Sequence, residues 1–215
     1  MPKDSTQTVK DILIAAKYEF LEKGYINASM RKIAERANVT TGALYRHYKD
    51  KSALFDALLE PVCTDIYRIL DSYTDLFFSN TSPENFTALI DNECQNPQNE
   101  IFVLTEYFYS HFDEMKILLS SSEHSSYEQF VHQFINYSLE HTLDYIHQCQ
   151  IQIPDKDKAK IEKSFHLLIS AQLSAIFELI LHDIPREEGL ELMTIASRFF
   201  YGGWKEVFQM LQDYD

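Results

Sequence analysis

At 215 residues, with 45% hydrophobic and 24% charged side chains and only five glycines and six prolines, the chain has room for one large or two small domains and favours helix. A formal net charge of −14 would argue against a nucleic-acid partner if it were evenly spread. It is not: residues 1–60 hold ten Lys or Arg against eight Asp or Glu, and the remainder holds nine against twenty-five. Cys63, Cys94 and Cys149 form no CxxC pair, which argues against a disulfide framework or zinc ribbon and for a reducing cytosol. No basic-then-apolar leader and no continuous apolar run of about 18 residues is present, so neither a signal peptide nor a membrane span is expected.

In chain order, residues 1–7 read as a loose polar tail. From Thr8 the apolar positions Val9, Ile12, Leu13, Ala16, Phe20 and Leu21 recur at helical spacing until Lys23-Gly24, with Gly24 as the cap. Ser29 is a good N-cap for a short second helix whose inner face is Met30, Ile33, Ala34 and Ala37. Asn38 tolerates the left-handed conformation that ends a helix, Val39 plugs the corner, and Thr40 caps a third helix. Leu44 and Tyr48 should face inward there, leaving Thr41, Gly42, Tyr45 and Arg46 on the outer face. Gly42 has no side chain to keep a phosphate away from the positive helix end. Two short helices, a tight turn and a polar outer face make the layout of a DNA-reading helix-turn-helix.

Asp50 caps a fourth helix beginning at Lys51, with Leu54, Phe55, Leu58 and Leu59 inside, and Pro61 predicts a kink, a break or simply a helix end near residues 57–61. Beyond it, helices are predicted over 62–79, 83–95, 98–120, 123–150, 155–183 and 187–213, separated by stretches rich in Asn, Pro and Ser. The expected fold class is all-α, divided into a DNA-binding domain over 1–53 and a larger helical domain over 54–215.

Residues 9 to 55 resemble the N-terminal domain of the tetracycline-repressor (TetR) family of bacterial regulators. The resemblance rests on Ile12, Ala16, Phe20, Gly24-Tyr25, Ser29-Met30, Ile33-Ala34, Ala37-Asn38-Val39, Gly42-Ala43-Leu44-Tyr45, His47-Tyr48 and Lys51 to Phe55. Similar proteins carry Gly where this chain has Asn38, a mild departure at a position needing positive φ. The resemblance implies that the fourth helix links head to body, that the body binds a small-molecule effector, and that the protein is a homodimer built on its last two helices. It further implies a repressor that grips a palindromic double-stranded operator and is released by that effector. A helical interaction protein whose body binds a protein partner, with DNA as a scaffold, is the alternative of another class.

For the DNA contacts, Thr40, Tyr45, His47 and Lys51 are candidates for phosphates, and Arg31, Thr41 and Arg46 for base edges, with Gly42 allowing the approach and Ser29 a further candidate of the same surface. Tyr45 as a packed ring, His47 as a capping residue and the arginines as solvated charges remain open. Two wide apolar stripes, Ile161 to Ile180 and Leu192 to Leu211, exceed what a small core needs. From them Leu173, Ile176, Phe177, Ile180, Phe199, Phe200, Gly203, Trp204 and Val207 are the candidate dimer interface, ordinary core packing being the other reading. Most of the 23 aromatic residues after position 60 should be core. Tyr107, His111, Tyr137, His141 and Gln172, polar-tipped on otherwise apolar faces, are candidates to line an effector pocket, and a lipophilic ligand, cationic in view of the acidic body, is one option. No phosphate loop, catalytic constellation or metal-ligand spacing is found, so no enzyme activity, cofactor or metal is expected. A soluble cytoplasmic regulator is the resulting expectation.

Overall fold

The computed structural model describes residues 5–79, 96, 99–148 and 151–212, the side chains of 74–79 and 212 excepted. The helix predicted at 83–95, and both Cys94 and Cys149, lie outside the described residues. Within them the chain is all-α: α1 (Ser5–Asn27), α2 (Met30–Arg36), α3 (Thr41–His47), α4 (Lys51–Ser79), α5 (Glu100–Ser110), α6 (Phe112–Ser120), α7 (Phe130–Gln148), α8 (Asp155–Leu181) and α9 (Arg186–Gln212). Two compact units emerge from the packing, residues 1–65 with 111–131 and residues 66–110 with 132–215. In this grouping residues 111–131 pack with the N-terminal helices.

In the first unit, α1 presents Ile12, Ala15, Ala16, Glu19 and Phe20 to the interior at helical spacing, and packs on α2 and α6. Its helical geometry is interrupted at Gly24, whose φ of 68° is one that only glycine adopts without strain. Phe20, fully buried, meets the Phe55 ring edge-on at 4.7 Å, and Tyr25 and Tyr127 complete the aromatic centre at 4.8 and 6.0 Å from Phe55. Met115, Ile117 and Leu118 supply the inner face of α6.

α4 runs through Pro61 as one helix, so the expected break or helix end there is corrected. Pro61 is exposed, so the donor it lacks is missing on the watered side, while Leu58, Leu59, Val62, Cys63 and Ile66 around it are buried. Packing on both sides outweighs the local cost. Burial pushes the Cys63 thiol up to about 12, so it is protonated near neutral pH.

Two further boundaries differ from expectation. The helix predicted over 98–120 is two, parted at His111 (φ −124°, ψ 40°). The helix predicted from 123 starts at Phe130, because Ser122, Ser125 and His124 (φ 63°) build turns in which hydroxyls bond nearby backbone and compete with the helix ladder.

In the second unit, α5 packs on α8 and α9, and those two on each other. Tyr145, Ile146, Ile161, Phe165, Phe208 and Leu211 form one buried cluster. Asn99, 1% exposed, caps α5 by accepting the Phe102 N–H and donates to Ser197 Oγ at 3.1 Å. By length and composition α8 could cross a membrane (mean hydropathy 1.6 in its most apolar window), contrary to the expectation that no segment qualifies. Its buried positions, Ile161, Phe165, Ile169, Leu173 and Ile176, nevertheless recur on one stripe, as they do in a helix packed in a water-soluble fold.

Truncating Phe55 to Ala removes the ring that three aromatics share, and is expected to cost about 3–5 kcal/mol. Urea unfolding followed by circular dichroism measures it.

Candidate nucleic-acid interface and association face

The turn between α2 and α3 is closed by backbone geometry that Asn38 makes possible. Asn38 takes φ 56°, its N–H reaches Glu35 O at 3.1 Å, and the Val39 N–H reaches Ala34 O at 3.0 Å, the paired bonds of a Schellman ending with Asn in place of Gly. Ser29 caps α2 by accepting the Lys32 N–H, and Thr40 Oγ1 caps α3 by accepting the Ala43 N–H at 3.1 Å. Asp50 Oδ1 does the same for α4 through Ala53 N–H at 2.7 Å. With its ends fixed, α3 buries Leu44 completely and leaves Thr41, Gly42, Tyr45, Arg46 and His47 exposed, whereas Tyr48 is half-buried.

Of the residues expected at DNA, Thr40, Thr41, Gly42, Tyr45, Arg46 and His47 therefore share one outward surface. Arg31 is also outward, its guanidinium Nε 3.1 Å from Glu35, a carboxylate held below its usual range by Lys32 and Arg31. Such an exposed pair is screened by water and yields readily to a phosphate or a base. Ser29 is spent on its cap and only half exposed. Lys51 departs most from expectation: its ammonium turns back onto the carbonyls of Ile26, at 2.8 Å, and Ala28, and over the Tyr25 ring. Glu19, which the sequence reading passed over, is 4% exposed and accepts the Ser29 N–H at 3.1 Å. It sat inside an apolar run, where a lone carboxylate reads as solvated.

The candidate dimer residues divide. Leu173, Ile176, Phe177 and Ile180 lie within the protomer's own core, at most 4% exposed, so the expectation that they face a second copy is corrected. Trp204 is partly buried against Phe165, its indole N–H donating to Gln172 at 2.6 Å, while Phe200 and Val207 are half-buried. Phe199 and Gly203 are outward, and they stand with residues the sequence reading did not select: Leu192, Ile195 (72% exposed), Gly202 and Met210, with Leu167 and Leu168 exposed on α8. Spacings of three, four and seven place those of α9 on one face.

The effector candidates differ in their immediate partners. Tyr137 donates to Asp71 at 2.6 Å, a bond that pushes its hydroxyl up to about 12, and His141 Nε2 lies 3.5 Å from the same carboxylate. Gln172 is engaged by Trp204. Tyr107 is half-buried on α5, and His111 belongs to the turn ahead of α6. Among the described residues no cluster of three or more metal-ligating side chains occurs.

A capped helix pair with a polar, outward second helix, in a chain that is all-α over the described residues, is the layout of the helix-turn-helix class. Residues 12–58 match the family of bacterial regulatory proteins, tetR family. Its members are transcriptional regulators and not enzymes. The HTH-type transcriptional regulator YvkB of Bacillus subtilis is 29% identical over 123 residues, a match covering 46% of this chain and 65%, less than two thirds, of that protein. Among solved structures, a TetR-like transcriptional regulator from Rhodococcus sp. RHA1 superposes with a TM-score of 0.59 at 17% identity, covering 88% of this chain and 93% of the other. The regulator FadR of Bacillus subtilis, in complex with stearoyl-CoA, does so with 0.55 at 14% identity, covering 90% and 98%. These likenesses extend the fold beyond the matched segment.

A Cβ built on Gly42 meets nothing within 4 Å, so its absence serves no internal packing. Gly42→Ala is expected to leave stability unchanged or raise it by up to about 1 kcal/mol. It should at the same time weaken DNA binding by roughly tenfold or more, about 1.4 kcal/mol. Thermal melts beside anisotropy titrations separate the two effects.

Proposed function

We propose that this protein is a repressor that binds a palindromic operator as a homodimer and releases it when a small-molecule effector occupies the body. In this reading residues 1–53 read the duplex, and residues 54–215 carry the dimer and effector contacts. The observation that carries the reading is the outer face of α3, where Thr41, Tyr45, Arg46 and His47 stand exposed around a side-chain-free Gly42. Arg46 is the candidate to grip guanine O6 and N7, Thr41 a second base contact, and Tyr45, His47 and Thr40 the phosphate contacts that set register.

The dimer is supported by the unpartnered apolar face of α9, in which Ile195, Phe199 and Met210 are each about two thirds or more exposed. Exposed glycines at 202 and 203 favour close helix approach there. A two-fold pair would present two reading helices to grooves about 34–36 Å apart, which is why a palindrome is proposed. An effector is proposed because a structural neighbour was solved with stearoyl-CoA bound, which supports a lipophilic ligand for this fold. Tyr137 and His141 beside Asp71, with Tyr107 and Gln172 in the same unit, are the polar groups proposed to meet it. Release follows if the ligand favours a body conformation incompatible with both half-sites, since a ligand shifts an equilibrium only by its differential affinity. A cytoplasmic location accords with work on a bacterial chromosome.

Footprinting on the region flanking its own gene tests the reading. A protected palindrome is expected, with Arg46→Ala costing about 1–3 kcal/mol and relaxing sequence preference. Equal affinity for specific and scrambled duplexes would sink the repressor reading in favour of a protein-partner role for the body. Phe199→Asp is expected to give monomers in sedimentation and to abolish tight operator binding while half-site binding persists weakly. Stabilisation by long-chain acyl-CoA in thermal shift, about 2.7 kcal/mol at one hundred times Kd, checks the effector arm.

A further inference from the structure

Lys51 begins α4, where the positive end of the helix dipole disfavours a cation, and its ammonium does not remain there. It swings back to the carbonyl end of α1, donating to Ile26 O at 2.8 Å and Ala28 O at 3.4 Å, over the Tyr25 ring at 4.8 Å. Those carbonyls belong to the connection that follows the Gly24 break, and the ammonium gives them a charged donor. Partial burial pulls the Lys51 pKa down, as befits an ammonium partly stripped of water.

The opposite charge sits a few residues further along the same connection. Glu19, 4% exposed, accepts the backbone N–H of Ser29 at 3.1 Å, which places a carboxylate at the positive N-terminal end of α2. Residues 25–29 are thus held from one side by an anion on α1 and from the other by a cation on α4. Tyr25 anchors the start of the segment through Phe20 and Phe55. Gly24, at φ 68°, supplies the bend that brings the carbonyls round to Lys51.

We propose that Lys51 and Glu19 are a positioning pair for DNA reading: they fix where α2 starts, and through the α2–α3 turn the attitude of α3, and Lys51 does not itself neutralise a phosphate. This inference rests on the DNA-binding reading and assigns one of its basic residues a different task. Its signature is electrostatic. A lysine on a phosphate contributes about 0.9 to the slope of log affinity against log salt, and a lysine on carbonyls contributes nothing to it.

The probe is a duplex selected by the full-length wild-type protein from a random-sequence pool, with a scrambled duplex as control. If the wild type does not separate the two, the DNA-binding reading fails before the pair is tested. Given that separation, Lys51→Met should lower affinity for the selected duplex by about tenfold or more, the scale of losing one base contact, at an unchanged salt slope. Lys51→Arg, which keeps N–H donors in reach of the carbonyls, should recover most of the loss, and Glu19→Leu should reproduce it, again without a change of slope. A slope smaller by about 0.9 per protomer in Lys51→Met, or unaltered affinity, overturns the proposal.

A second measurement needs no variant and stands even if Lys51→Met does not fold. With selectively labelled lysine, the Lys51 ammonium nitrogen should keep its chemical shift and its through-hydrogen-bond coupling to the Ile26 carbonyl carbon when the duplex is added. Loss of that coupling on binding overturns the proposal.

Discussion

Two helices of seven residues cannot hold themselves together. Isolated helices shorter than about 12–15 residues are marginal in water, and α2 and α3 are half that length. What keeps them helical and at a fixed angle is the treatment of their ends: Ser29 and Thr40 at the N-termini, Asn38 at positive φ in the turn, and Leu44 driven into the core from the middle of α3. Because Leu44 must be buried, Thr41, Tyr45 and Arg46 have no choice but to face out. The reading surface is the remainder of a packing requirement.

That dependence on ends explains what was legible in the chain. Caps, the Asn38 turn and the Leu44 face are local, set by residues within four positions of one another, and they read directly from the sequence. The features that misled are those in which distant packing overrides a local signal. Pro61 breaks helices in isolation, but here buried side chains flank it and the ring faces water. The two helices around His111 look like one by periodicity, since a single residue of non-helical geometry leaves no compositional mark. Lys51 read as an exposed cation because its acceptors are carbonyls 23 and 25 residues away, and a carbonyl has no residue type to recognise.

The apolar stripes teach a related lesson about the last two helices. Period alone identifies an apolar surface but not which half of a broad one is inside. On α8 the half at Leu173, Ile176, Phe177 and Ile180 is consumed by the protomer, while on α9 Ile195, Phe199 and Met210 are left over. A stripe wider than one core can use is the information that the sequence does contain. Which edge stays uncovered is decided by where α5 and the Tyr145–Phe208 cluster lie, and that is a tertiary fact.

The charge distribution sets the terms on which any such surface meets a polyanion. Residues beyond 60 carry an excess of sixteen acidic groups, against an excess of two basic groups before it. Salt near physiological strength screens charges beyond about 8 Å, so the acidic excess weakens approach at a distance and counts for little once contact is made. Contact energy must then come from few groups, for which Arg31 and Arg46 are the candidates, each placed by helix geometry and not by abundance of charge. With so little attraction to spare, a misplacement of α3 is not compensated by diffuse electrostatics. A buried carboxylate and a dehydrated lysine holding the start of α2 are therefore where a weakly basic DNA-binding domain has most to gain from rigidity.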